Sequence, residues 1–294
     1  MKPGDEVIVP SHTAFPTMEP LIHCGARPVF VDIDDTYCLD VGLVEAAITP
    51  RTVGIIPVHL YGHPVNLEPV LEIAAKRKLW VLEDCAQAQG AKYNGKTVGS
   101  LGHFGAFSFF PSKNLTVLGD GGCLVTNDAA LADKVRMLRN HGRKDKYLHE
   151  FTGFNVRFNE IQGAIGRVML KHLDGFNERR RAIAARYDER LQGVAITPPQ
   201  RPWARAVYHM YVVRVQRRDE LQKFLKDRAI ETGIHYPVPN HQQPAITSKF
   251  SNLPRLPKTE AAVKEILSLP IHGEMPLNDA DRVCEAIVEF YGKK

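Results

Sequence analysis

Six short apolar runs, at 6–9, 28–31, 53–58, 80–82, 104–110 and 123–126, alternate with helical patterns such as 67–78 from residue 1 to about 130. Short β-prone runs separated by helical stretches predict βαβ units, and so an α/β fold around a mostly parallel central sheet. Ligands on such sheets sit beyond the carboxyl ends of the strands. Two of these run ends carry chemistry. One closes on Glu83-Asp84, and the other leads through Pro111-Ser112 to Lys113 and a glycine-rich exit, Gly119-Asp120-Gly121-Gly122.

Residues 159–191 place apolar side chains at helical spacing with charges between them, predicting one long helix or a broken pair that joins two lobes. Beyond Pro198-Pro199, the segments 208–215, 220–227 and 280–290 predict a smaller α+β unit with one strand and two helices. Pro237, Pro239 and Pro244 mark an ordered loop within it. A chain of 294 residues, 44% hydrophobic and 24% charged, exceeds the usual single domain. The expected division is a large domain over 1–175 and a small C-terminal domain over 176–294.

The N-terminal segment has no apolar stretch followed by a small-residue cleavage site, and no run is long enough to span a bilayer, so a cytoplasmic location with no membrane partner is expected. The five cysteines (Cys24, Cys38, Cys85, Cys123 and Cys284) are scattered and never spaced Cys-x-x-Cys. They predict buried free thiols, with no disulfide framework and no metal site. The net charge of +5 suits a small anionic substrate. Because the basic residues are dispersed and Arg179-Arg180-Arg181 fits a solvated helix face, no nucleic-acid partner is expected.

Pyridoxal 5′-phosphate chemistry asks a protein for a lysine that bonds the aldehyde, a carboxylate that keeps the pyridine nitrogen protonated, and donors for the phosphate. Asp84, at the end of a buried run, suits the carboxylate; on its own it reads equally well as a turn residue or helix N-cap. Lys113 suits the amine, which works best with its pKa lowered by burial and neighbouring positive charge. A lone lysine in a loop is ordinarily just solvated. Ser108, on the preceding strand, offers a hydroxyl for a phosphate oxygen. Gln87 reaches the ring's phenolic oxygen if the turn after Asp84 begins a helix.

Four segments carry a resemblance: Leu82–Ala91, Lys113–Gly122, Gly153-Phe154-Asn155-Val156-Arg157, and Ile234-His235-Tyr236-Pro237-Val238-Pro239. In this order, from residue 4 to the C-terminus, the chain resembles the DegT/DnrJ/EryC1/StrS family of sugar aminotransferases. The resemblance implies a pyridoxal-phosphate-dependent transferase of fold type I and a homodimer with active sites at the interface. It implies Lys113 as the Schiff-base lysine, Asp84 as the pyridinium partner, Gln87 as the ring-oxygen contact and Ser108 as a phosphate contact. Asn155 would reach the cofactor phosphate of the neighbouring subunit, and Arg157, His235 and Tyr236 would approach the nucleotide-sugar substrate. The implied reaction moves an amino group from an amino acid, L-glutamate, to a keto group of a nucleotide-activated sugar.

Two departures accompany the resemblance. Relatives carry several tens of residues before the segment at 3–10, including a Ser-Gly-Thr turn whose helix N-terminus cradles the phosphate, and that turn is missing from this sequence. Many relatives also hold an aromatic residue where Ala14 stands, which leaves His12 as a candidate for stacking on the cofactor ring, or as a plain loop histidine. The family's dehydratase branch replaces the lysine with histidine, and Lys113 argues against it. Two alternatives stay open: a cyclitol aminotransferase acting on keto-inositols, and a non-catalytic or regulatory homologue impaired by loss of the N-terminal turn.

Overall fold

A computed structural model describes residues 1–292. In chain order the first part contains β1 (Glu6–Pro10), α1 (Glu19–His23), β2 (Arg27–Val31), β3 (Thr52–Ile55), α2 (Leu67–Arg77), β4 (Trp80–Asp84), β5 (Lys92–Tyr93), β6 (Lys96–Thr97), β7 (Phe104–Ser108) and β8 (Gly122–Val125). Six of these strands form one sheet in the order β2-β1-β3-β4-β7-β8. Every neighbouring pair is parallel except β7 with β8. The six expected runs all become strands of this sheet. β3 stops at Ile55 because Pro57 has no N–H to offer the ladder, and β7 stops at Ser108, shortly before Pro111.

Local sequence explains the elements that frame the sheet's working edge. β1 is buried along its whole length between β2 and β3, as its continuous apolar run requires. α2 buries Leu67, Val70 and Ala74 on one stripe, carries Lys76 and Arg77 in its last turn, and ends at Lys78 in the left-handed conformation. Burying Leu67 and Val70 contributes roughly 1.5–3 kcal/mol each. β4 alternates, with Val81 and Glu83 on the buried face and Trp80, Leu82 and Asp84 on the half-buried one. The two adjacent carboxylates therefore part company.

The remainder runs through α3 (Ala129–Leu138), α4 (Glu160–Leu170), α5 (Leu173–Arg190), β9 (Ala204–Arg205), β10 (Tyr211–Arg214), α6 (Arg218–Lys226), α7 (Pro244–Thr247), α8 (Pro257–Glu265), β11 (Ile266–Leu269) and α9 (Leu277–Gly292). The expected long helix is the broken pair α4 and α5. The C-terminal part holds more than the expected strand and two helices: β10 pairs antiparallel with β11, and α7 and α8 add to α6 and α9. One buried cluster surrounds the main sheet and takes in Val207, Val212, Ile246, Leu256, Ala262 and Ile266 from the C-terminal part. A second gathers α5, α6, α9, β10 and β11.

Two sequence expectations need correction. Cys24 and Cys123 are exposed thiols, and only Cys38, Cys85 and Cys284 are buried. Nor is the arginine run wholly solvated. Arg180 lies on the stripe of α5 that also buries Asn177, Ile183, Ala184 and Tyr187, and its Nη1 donates to the carbonyls of Tyr208, His209 and Ile271.

Candidate active site

Because β1, β3, β4 and β7 run parallel, their carboxyl ends open on one edge of the sheet. The segments leaving those ends supply His12 and Thr17 after β1, Tyr61 after β3, Asp84 and Gln87 at and after β4, and Lys113 after β7. Asp84 lies opposite Ala106 in the register. Lys113 follows on a bend whose amide donates to the Phe110 carbonyl at 2.9 Å.

Asp84 accepts from Thr17 Oγ1 at 2.8 Å on Oδ2 and from the Ala86 amide at 3.0 Å on Oδ1. The second bond is the side-chain-to-backbone turn expected of an ordinary aspartate, so the bland role and the site position coexist. Burial pushes the Lys113 amine below the ordinary lysine range, while the Asp84 carboxylate opposes that shift. The same lysine charge acts on His209 and His235. Lys113 and Asp84 thus share one electrostatic neighbourhood. Among the described residues, the Lys113 ammonium makes no hydrogen bond or ion pair.

The other expected residues fall into two groups. Gln87 stands at this edge on a tight turn, and that turn after Asp84 does not begin a helix. Its amide is engaged at both ends: Oε1 accepts from the Tyr61 amide at 2.7 Å, and Nε2 donates to the Tyr236 hydroxyl at 3.0 Å. Tyr236 is raised by burial and by the Asp84 charge, against the lowering effect of Gln87. His235 Nδ1 meets Ser268 Oγ at 2.9 Å, and burial, followed by the Lys113 charge, lowers its pKa. Ser108 closes β7, and its Oγ accepts from the Phe110 amide at 3.3 Å.

Asn155 and Arg157 stand apart on an exposed segment. Arg157 lines a groove of about 950 Å³ with Phe109, Gly121, Phe158 and Gln162, and neither Lys113 nor Asp84 lines it. His12 does not present the open ring face that stacking requires. It is fully buried, with Tyr37 and Tyr61 packed against it. Tyr61 spends its hydroxyl proton on the His235 carbonyl, so His12 Nε2 donates to Tyr61 Oη at 2.6 Å. Burial brings His12 down to about 4.

Sequence reasoning missed Thr17, Tyr61, Asn114 and His209. Tyr61 has a left-handed φ of 58°, and Gly62 follows at 91°. A Cβ on Gly62 would lie 2.9 Å from the His209 amide nitrogen and 3.0 Å from the Gln87 carbonyl oxygen, so the glycine lets three chain segments meet. The available signal was His59-Leu60-Tyr61-Gly62-His63, a polar aromatic cluster just past a strand end. Beneath this edge, His59, Glu83 and Cys85 lie within 4.8 Å of one another. Hydrogen bonds already engage His59 and Glu83. Glu83 accepts from His59 Nε2 and from the amides of Gly99, Leu101 and Gly102, while His59 Nδ1 accepts from the Val65 amide.

The DegT/DnrJ/EryC1/StrS aminotransferase family model matches residues 1–288. The chain belongs to that family. Within the DegT/DnrJ/EryC1/StrS family, it is 47% identical to a Geobacillus stearothermophilus protein called "Pleiotropic regulatory protein", over 98% of this chain and 79% of the relative. It is 45% identical to the dTDP-3-amino-3,4,6-trideoxy-alpha-D-glucose transaminase of Streptomyces venezuelae, over 98% of this chain and 77% of the relative.

Among solved structures, S. venezuelae DesV in complex with a ketimine intermediate superposes with a TM-score of 0.96 at 44% identity, covering 100% of this chain and 80% of that one. The Bacillus subtilis ntda structure with bound cofactor pmp superposes with a TM-score of 0.92 at 31% identity, covering 100% of this chain and 69% of that one. The likeness bears out the α/β architecture of these aminotransferases, with its mostly parallel sheet. The residues at the edge fit a pyridoxal group. Among the described residues, Lys113 is half-buried without a hydrogen-bond partner, Asp84 forms no ion pair, and the buried Nε2 of His209 has no hydrogen bond.

Proposed function

We propose that this chain is a pyridoxal-phosphate-dependent aminotransferase that moves an amino group from an amino acid, L-glutamate, to a keto group of a nucleotide-activated sugar. The observation that carries the reading is the convergence of Asp84 and Lys113 at the carboxyl edge of β4 and β7, where the lysine is partly desolvated and feels the aspartate charge. When bound, pyridoxal phosphate supplies an electron sink that makes a proton on the amino-bearing carbon removable.

The chain's own residues have distinct tasks in this scheme. Asp84, fixed by Thr17 and the Ala86 amide, would keep the pyridine nitrogen of the cofactor protonated by presenting a negative charge to it. Lys113 would hold the cofactor through Nζ and, once displaced by the amino donor, would carry the proton from the donor's α-carbon to the cofactor, a task suited to an amine lowered by burial. Gln87 would face the ring oxygen, and Ser108 would offer its hydroxyl to the phosphate. His235 and Tyr236, tied back to Ser268 and Gln87, form the wall on which the sugar is oriented. Donor and sugar use the edge in turn.

A homodimer completes the site in this reading, with Asn155 reaching the partner's phosphate and Arg157 the partner's substrate. Support comes from the exposed apolar side chains around them: Phe154 is 64% exposed, Val156 66% and Ile161 75%. α4 buries no residue within one copy. A division into a large domain over 1–175 and a small one over 176–294 is supported by the second buried cluster, which draws only on residues beyond 176, although the first reaches across that boundary. Amination at the sugar's 3-position is favoured by the 3-amino product named for the S. venezuelae relative.

The test is direct. Purified protein mixed with pyridoxal phosphate should develop a visible absorption band, and borohydride should fix the cofactor onto Lys113, located by peptide mass spectrometry. The absence of an adduct at Lys113 would sink the mechanism.

A further inference from the structure

Lys113 projects from a loop whose two sides differ. Phe110, Pro111 and Ser112 before it are exposed, whereas Asn114 after it is only 5% exposed. The Lys113 ammonium makes no hydrogen bond or ion pair among the described residues, so its place is set by its main chain. Upstream, that chain is held by the bond from the Lys113 amide to the Phe110 carbonyl at 2.9 Å. Downstream, Leu115 and Val117 are buried, but apolar burial is non-directional and does not fix an orientation.

Asn114 supplies the direction. Its Nδ2 donates to Asn177 Oδ1 on α5 at 2.8 Å and to the Val207 carbonyl at 3.0 Å, and its Oδ1 meets His209 Nδ1 at 3.2 Å. Only one orientation of the amide satisfies all three. The Gln89 carbonyl can only accept, so Asn177 donates to it through Nδ2 at 2.9 Å and turns Oδ1 toward Asn114. The Val207 carbonyl likewise demands the NH₂ of Asn114, which leaves Oδ1 for the Nδ1–H of His209. These anchors are themselves held. The Val207 amide donates to the Gly62 carbonyl at 3.0 Å, and Arg180 Nη1 donates to the carbonyls of Tyr208 and His209 at 3.0 and 3.1 Å.

We infer that Asn114 is a positioning residue for Lys113: three bonds from its amide, to α5 and to the segment before β10, fix the main chain that carries the amine. This rests on the proposed role of Lys113. Holding and chemistry are divided between neighbours, since the amide bonds to other segments while the amine beside it stays free to react.

Asn114→Ala removes the whole clamp, and Asn177→Ala removes one of its three bonds together with the bond to Gln89. In cofactor-free protein, competitive labelling of Lys113 with acetic anhydride across pH, read by peptide mass spectrometry, reports the midpoint of the amine. Burial holds that amine below the ordinary 10.5, with Asp84 opposing, and its charge also reaches His209 and His235. Released from the clamp, the amine gains water, so the Asn114→Ala midpoint should rise toward 10.5. A rise of about half a unit cuts labelling at about pH 8 roughly 3-fold. Asn177→Ala should raise it by less, and adding Asn177→Ala to Asn114→Ala should move it no further.

A purely structural role would lower the urea midpoint of both variants and leave the Lys113 midpoint where it is, and that result overturns the inference. So does a fall in the Lys113 midpoint, or a further rise in the double variant, which would show Asn177 acting without Asn114. If Asn114→Ala does not fold, Asn177→Ala decides alone: a raised Lys113 midpoint supports the inference, and an unmoved one overturns it. The borohydride adduct on wild-type Lys113 is scored separately. An adduct with an unmoved midpoint removes the role of Asn114, whereas a raised midpoint without an adduct removes the aminotransferase reading.

Discussion

Thr17 Oγ1 lies 2.8 Å from Asp84 Oδ2 and donates to it, so a residue from the turn after β1 orients the carboxylate that ends β4. Thr17 has one hydroxyl proton and gives it to Asp84, which makes Thr13 the donor in the 3.1 Å contact between the two threonine hydroxyls. A two-threonine relay thus reaches Asp84 from one side, while the Ala86 amide holds the other oxygen.

That geometry separates charge from aim. Asp84→Asn keeps the shape and removes the charge, and should lower kcat by about 1,000-fold or more at saturating pyridoxal phosphate, the scale of a lost electrostatic partner. Thr17→Val keeps the charge and loosens its aim, and should cost roughly 10-fold, matching the low end of a hydrogen bond to a charged group. Steady-state transamination with added cofactor reads both. Undiminished turnover in Asp84→Asn would take Asp84 out of the mechanism.

Glu83 is the structural counterpart on the opposite face of β4. It accepts from His59 and from the amides of Gly99, Leu101 and Gly102. Glu83→Gln turns an NH₂ toward at least one of these donors and should destabilise the fold by about 3 kcal/mol in urea unfolding. Burial pushes the Glu83 carboxyl up, but the hydrogen bonds from His59 and from the Gly99 and Gly102 amides hold it, on balance, below its ordinary 4.5. Its contribution is therefore complete above about 4.5 and is lost as the pH falls through the lower folded value. Glu83→Gln should flatten that acid limb, and an unchanged acid limb would count against this account.

The strands were legible because apolar runs in this chain are short and punctuated, and a parallel sheet then fixes which ends share an edge. Asp84 and Lys113 could be paired from that rule alone. Arg180 was not legible, because Asn177, Arg180, Ala184 and Tyr187 form a buried stripe whose polar members hide its period. The conformation at Gln87 stayed open because nothing local distinguishes a turn from a helix start after Asp84. His209 and Tyr61 emerge only when distant segments pack, with contacts to Asn114 and His235 that span 95 and 174 positions.

His12 makes a pH prediction. Burial lowers it to about 4 from an ordinary 6.5, so the unfolded chain binds its proton at a higher pH than the folded chain does. Its stabilising effect is complete above about 6.5 and declines as the pH falls toward 4. Between pH 7.5 and 5 the loss should be about 2 kcal/mol. His12→Gln retains a donor for Tyr61 and does not titrate, so its stability should fall by that much less over the same interval. Chemical denaturation at the two pH values measures the difference, and parallel losses in both proteins would contradict it.

The proposed sharing of sites between subunits can be tested by mixing two dead proteins. Lys113→Ala removes the amine that one subunit contributes, and Asn155→Ala removes the phosphate contact that the other contributes. If Asn155 acts across the interface, a mixed dimer has one site with both defects and one site with neither. Co-refolding equal amounts should restore about a quarter of wild-type activity, since half the dimers are mixed and each holds one intact site. If Asn155 serves the site of its own subunit, each site in the mixed dimer carries one defect and activity stays at the level of the parents. Exposed Phe154 and Val156 flank Asn155, so Val156→Asp should weaken the dimer and abolish the recovery, with the change in oligomeric state read by sedimentation.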